Sequence, residues 1–98
     1  MKIRSYKEFQ ASLSNKCPDV AWSEGLKALW FDAKGDWEAS HTIAQDMHSE
    51  LGSLIHAYLH RKEGDEFNAG YWYKRAHKPF PKISLDTEHQ YLVESILE

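Results

Sequence analysis

The 98-residue chain is 42% hydrophobic and 28% charged, so it can bury one core and is not expected to be disordered. Its net charge of −3 favours neither nucleic acid nor an anionic membrane as a partner, and no apolar stretch approaches the length of a membrane span. Its single cysteine, Cys17, excludes an internal disulfide and a multi-cysteine metal cluster. Because the sequence opens without an apolar leader, we expect one domain over residues 1–98, located in the cytoplasm.

Glycine and proline residues divide the sequence into segments whose apolar residues recur with a helical period. The first segment follows Ser5, which forms a capping-box pattern with Glu8, and we expect the Glu8 side chain to accept from the Ser5 amide. Because no stretch alternates with a strand period, an all-α fold is predicted. The predicted helices span about Tyr6–Ser14, Ser23–Lys34, Trp37–Met47, Glu50–Lys62, Glu66–His77 and Leu85–Leu97.

A glycine-aspartate pair ends one helix and begins the next at two places. Gly35-Asp36 and Gly64-Asp65 are 29 residues apart, and in each pair glycine can adopt the left-handed conformation while aspartate caps the following helix. Two helical hairpins at a spacing of about thirty residues are typical of a helical repeat.

Small residues in the second hairpin identify the type of repeat. Ala57, Ala69 and Ala76 would let two antiparallel helices approach closely, with Tyr73 filling the remaining gap. With the glycine-aspartate turn and Pro81, this register resembles the tetratricopeptide repeat, whereas the first hairpin lacks the second alanine and the closing proline. The resemblance implies an all-α fold of two tetratricopeptide-like helical hairpins, flanked by an N-terminal and a C-terminal helix.

A narrower resemblance covers about half of the chain. It rests on residues 28–41, 56–65, 68–69 and 71–76. These strings are similar to an uncharacterised family of small, mostly bacterial proteins with tetratricopeptide-like hairpins. The resemblance supports the helical fold and implies no reaction, cofactor or site residue.

His56 and His60 lie one turn apart on a predicted helix, a spacing that can chelate Zn²⁺ if a third ligand is supplied. The candidates for that third ligand are His41, Asp32 and Glu63. The zinc-peptidase form of this spacing needs a glutamate after the first histidine, where this chain has Ala57. Because the repeat register puts both histidines inside a hairpin, we favour a packing role for them and predict no metal or other cofactor.

Other polar residues have simpler interpretations than a site. Asp36 and Asp65 are predicted helix caps, and Asp32 and Glu63 are interpreted as solvated residues near helix ends, so no catalytic residue is assigned. The cations within residues 71–78 are expected at the end of a helix, where they interact favourably with its dipole, so we predict no nucleic-acid binding.

The favoured hypothesis is a non-catalytic helical module that binds a peptide, a partner protein or a second copy of itself. The groove between the hairpins would be lined by Leu26, Trp30, Leu54, Tyr58 and Arg61. Arg61 could read a carboxylate with its guanidinium fork, unless the C-terminal helix lies across the groove and fills it. The alternative is a small enzyme or a ligand- or metal-binding protein with a site around His41, His56, His60 and Trp72.

Overall fold

Residues 3–97 are described by the computed structural model, and their regular structure is entirely helical. The six α-helices are α1 (Tyr6–Ala11, continued by a 3₁₀ turn at Ser12–Ser14), α2 (Glu24–Ala33), α3 (Trp37–Asp46), α4 (Glu50–Lys62), α5 (Glu66–Arg75) and α6 (Leu85–Leu97). The predicted all-α class is confirmed, and the predicted helix bounds agree with the structure to within a few residues. Within residues 3–97 no helix combines the length and the apolar composition that a bilayer crossing requires.

The two predicted corners have the expected geometry. Gly35 and Gly64 adopt φ angles of 85° and 87°, a region that a side chain would strain. Asp36 accepts from the Ala39 amide at 3.1 Å, and Asp65 caps α5 in the same way. Each corner turns the chain back on itself, so that α2 packs against α3 and α4 against α5.

The cap of α1 differs from the predicted capping box in one hydrogen bond. The Ser5 hydroxyl accepts from the Glu8 amide at 3.1 Å, as predicted. The Glu8 carboxylate, however, accepts from the Arg4 amide at 2.8 Å and not from the Ser5 amide. The side chain therefore reaches one residue further back, which leaves the function of the cap unchanged.

Close packing within the second hairpin depends on the predicted small residues. Ala57 and Ala69 are buried between α4 and α5 beside the Tyr73 ring, and Ala76, which caps the end of α5, is also buried. The main core lies on the other face of α4, where that helix meets α2 and α6. Its largest fully buried side chains include Trp30, Phe9, Leu29, Ile55, Leu59 and Val93.

Helix α6 lies across the face that was predicted to form a binding groove. Trp30 and Tyr58 are 1% and 2% exposed, and the Trp30 indole donates to the Ser12 carbonyl at 3.3 Å. Arg61 donates to Glu88 of α6 at 2.7 Å. Of the two arrangements that the sequence left open, the structure has the filled groove.

Asp32 was predicted to be solvated, and this prediction is wrong. Its side chain is buried, with one carboxylate oxygen accepting from the Tyr58 hydroxyl and the other from Lys62 Nζ, both at 2.8 Å. Burial, and then the charge of Asp32, raises the pKa of Tyr58 above its ordinary value. Asp32 therefore links α2 to α4 within the core and is not available as a surface carboxylate.

Candidate metal centre

Three histidines from two helices meet between the hairpins. His41 comes from α3, while His56 and His60 lie one turn apart on α4. One ring nitrogen of each lies within 4.8 Å of those of the other two. The closest pair is His41 Nε2 and His56 Nε2, which are 2.9 Å apart. Helix α4 alone provides two imidazoles, and the packing of α3 on α4 brings His41 to them as the third.

Two tryptophans flank the imidazoles. Trp37 stacks on His41 with ring centroids 4.6 Å apart, and Trp72 stacks on His56 with centroids 4.0 Å apart. Trp37 is itself held in place, because its indole nitrogen donates to the Leu59 carbonyl at 2.9 Å. These rings exclude water from two sides of the cluster and restrict rotation of His41 and His56.

Glu63 orients the third histidine. Its carboxylate contacts His60 Nδ1 at 2.6 Å, across the last turn of α4. Because Nδ1 is engaged in this way, Nε2 is the nitrogen that His60 has left for a metal. A carboxylate that binds the far nitrogen of a metal-ligating histidine fixes the tautomer and makes the ligand more basic.

The environment keeps two of the imidazoles neutral. Burial, followed by the neighbouring His41 and His60, lowers the pKa of His56 to about 4. Burial, followed by His60, also lowers the pKa of His41 below its ordinary value. A metal ion binds neutral imidazole, so the site does not have to lose protons from these two residues near neutral pH.

The separations are compatible with a tetrahedral ion. Zinc–nitrogen bonds of about 2.0–2.1 Å place two ligand nitrogens about 3.4 Å apart at the tetrahedral angle. To reach this value, the distance between His41 Nε2 and His56 Nε2 would have to increase from 2.9 Å. The longest distance between ligand nitrogens, at most 4.8 Å, would have to decrease. Both changes would require the histidine side chains to shift when a metal binds. Three imidazoles leave the fourth position of such an ion for water or an exogenous ligand.

A cavity of about 420 Å³ lies beside His56, between the end of α3, the start of α4 and α5. His56, Trp72 and Arg75 line it together with the start of α4. The Arg75 guanidinium lies 5.4 Å from the centre of the Trp72 ring, so a cation stands at the wall of the cavity. His41 and His60 do not line this cavity, so it borders the cluster at His56 alone.

The remaining predicted binding residues lie away from the histidines. Trp30, Tyr58 and Arg61 each have a partner elsewhere in the chain: the Ser12 carbonyl after α1, Asp32 of α2 and Glu88 of α6, respectively. Asp32, one candidate for the third ligand, is buried and bound to Tyr58 and Lys62. Of the candidates named from the sequence, the structure therefore brings together His41, His56, His60 and Trp72, with Glu63 in contact with His60.

Two contributors were missed or misinterpreted. Trp37 precedes His41 by one helical turn, a spacing that could have suggested their stacking. Glu63 is exposed, as predicted, but its contact with the His60 ring three positions earlier was not predicted. Both relationships are local to a single helix or its end and could have been identified from the sequence.

Comparison with family models, with curated proteins and with solved structures finds no match to this chain. The function is therefore inferred from the geometry of the site.

Proposed function

We propose that this protein binds a divalent transition metal, with Zn²⁺ as the best fit, through His41, His56 and His60. The observation that carries the proposal is the convergence of three imidazole nitrogens within 4.8 Å. Imidazole ligands suit zinc, copper, nickel and iron, and zinc readily accepts a site of three protein ligands and one water. In this proposal the protein acts in the cytoplasm, as its lone exposed cysteine suggests.

The surroundings of the cluster support the proposal. The two stacked tryptophans limit access of water, and Glu63 holds His60 by Nδ1, which leaves Nε2 free to bind a metal. An ion with one free coordination position beside a cavity is the arrangement of catalytic and ligand-binding zinc sites, whereas structural sites are closed by four protein ligands. The function is accordingly that of a small metalloprotein which binds a ligand at its metal.

Calorimetric titration of untagged, chelator-treated protein with ZnCl₂ tests this function. We expect one zinc ion per chain, and thermal stability that rises with zinc concentration. Binding to the folded state alone adds about 2.7 kcal/mol to the free energy of unfolding when free zinc is 100 times the dissociation constant. Cobalt provides a second readout, because tetrahedral Co²⁺ absorbs visible light far more strongly than octahedral Co²⁺.

Variants separate this site from adventitious surface binding. His41→Ala and His60→Ala remove ligands from partly exposed positions and should abolish the stoichiometric binding while circular dichroism stays helical. His77→Asn is the matched control, since His77 is well exposed and outside the cluster. Zinc binding that His41→Ala leaves intact, or that is absent from the unsubstituted protein, contradicts the proposal and assigns the histidines to packing.

One observation still supports the hypothesis that the protein is an interaction module. The groove predicted between the hairpins is filled by α6, but two aromatic side chains on α5, Phe67 and Tyr71, are 86% and 52% exposed. A second function as an interaction module would therefore use the outer face of α5 and not the groove. Pull-down of partners from a lysate by the unsubstituted protein, but not by Phe67→Glu, tests this function.

A further inference from the structure

The outer face of α5 carries apolar side chains that the described part of the chain does not cover. Phe67 is 86% exposed, and Tyr71, one turn further along, is 52% exposed. Gly70 lies between them, and a Cβ placed there would meet no atom within 4 Å. The main packing partner of α5 is α4, on the opposite side. We call Phe67, Gly70, Tyr71 and their exposed neighbours Glu66 and Lys74 the α5 face.

Helix α5 carries an acidic residue in its first turn and basic residues in its last turn. Glu66 stands in the first turn of α5, and Lys74 and Arg75 stand in the last turn. A second α5 helix laid antiparallel on the first would put each acidic end against the other's basic end, whereas a parallel arrangement would oppose like charges.

We propose that the α5 face binds a second copy of this chain, with the two α5 helices antiparallel across a twofold axis at Gly70. In this register Glu66 of each copy faces the partner's Lys74, and the two glycines meet where the helices cross most closely. Phe67 packs over the partner's Tyr71. A twofold axis makes one patch sufficient for both sides, because the same residues supply both the donors and the acceptors.

The small area of the α5 face limits the affinity of the dimer. Each copy contributes one ten-residue helix, which places the interface at the small, transient end of the known range. We therefore expect a reversible dimer with a dissociation constant on the order of micromolar. Charge pairs at its rim should make the association weaken as salt is added.

Sedimentation equilibrium of untagged protein in chelator, at concentrations up to about 1 mM, measures this dimer without metal-mediated bridging. The mass should rise from 11.4 kDa towards twice that value as concentration increases. Phe67→Glu should weaken dimerisation at least about tenfold. Val20→Glu is the matched control, because Val20 is equally exposed, at 87%, but lies outside the α5 face, and this variant should dimerise normally.

Charge reversal tests the antiparallel register. Glu66→Lys and Lys74→Glu should each weaken self-association, since each opposes like charges at both ends of the interface. An equimolar mixture of the two variants should dimerise again, because every opposed pair in the mixed dimer is then of opposite sign.

A mass that stays at 11.4 kDa up to the highest concentration overturns the proposal, as does a dimer that Phe67→Glu leaves unchanged. Failure of the mixture to dimerise overturns the antiparallel register. None of these outcomes depends on whether the histidines bind metal.

Discussion

Arg61 on α4 donates from its guanidinium to a carboxylate oxygen of Glu88 on α6, with nitrogen and oxygen 2.7 Å apart. The other Glu88 oxygen accepts from the Tyr73 hydroxyl of α5. Burial, followed by the contact with Glu88, raises the pKa of Tyr73 above its ordinary value. One carboxylate therefore joins three helices in a largely dehydrated position.

Replacement of Arg61 by alanine should be strongly destabilising. It leaves the Glu88 carboxylate buried without its cation, and breaking such a buried pair costs about 3–5 kcal/mol of the free energy of unfolding. Urea denaturation measures the loss. Glu24→Ala is the control: Glu24 pairs with Lys27 at 3.4 Å on the surface, and a surface pair contributes at most about 1 kcal/mol. Equal losses in the two variants would show that the Arg61–Glu88 pair does not hold α6 in place.

Gly52 has no room for a side chain. A Cβ at this position would stand 2.5 Å from the Met47 carbonyl oxygen and 2.6 Å from the Met47 Cβ, and the backbone of the α3–α4 connection would have to move. Gly52→Ala should therefore lower the free energy of unfolding by about 1–3 kcal/mol, although alanine is the better helix former. Thermal unfolding checks this expectation, with Ser53→Ala, at the neighbouring position of α4, as the control. A Gly52→Ala protein as stable as the control would contradict the close contact.

Glu63 should strengthen metal binding at the proposed site without being a metal ligand itself. Glu63→Gln keeps the shape of the side chain but removes the charge beside His60 Nδ1, and the loss of such a partner weakens metal affinity by about 10–100-fold. Zinc titration of the variant measures the change, and Asp46→Asn, an exposed substitution at the end of α3, should have no effect. Unchanged affinity in Glu63→Gln would mean that His60 is not oriented through Glu63.

Acid should destabilise the metal-free protein through His56. The pKa of His56 falls from 6.5 to about 4 on folding, so the unfolded chain binds this proton more readily than the folded protein does. The stabilisation is therefore fully present above about pH 6.5 and is lost as the pH falls towards 4. A shift of this size corresponds to a contribution on the order of 3 kcal/mol.

Denaturant unfolding between about pH 7 and pH 4.5, in chelator, measures this contribution by comparing the unsubstituted protein with His56→Asn. The variant cannot titrate at this position, so the difference in stability between the two proteins should narrow as the pH falls. Parallel pH profiles for the two proteins would contradict a lowered pKa at His56.

Much of the fold could be predicted because its signals are local. Gly35 and Gly64 mark the corners through backbone freedom, and the aspartates after them cap the next helix within one turn. The burial of Ala57 and Ala69 followed from their small size in a helical hairpin. By contrast, the burial of Asp32 could not be read from its position near a helix end, because its partners Tyr58 and Lys62 lie 26 and 30 residues away.

The amino-acid sequence by itself determined the helices, their caps and the spacing of His56 and His60, because hydrogen bonds and side-chain contacts one turn apart depend only on neighbouring residues. Only the tertiary structure decided that His41 completes the cluster and that α6 fills the groove around Arg61. Both outcomes depend on how separate helices pack against one another. That packing reflects the sum of many weak apolar contacts across the whole core, which no local pattern contains.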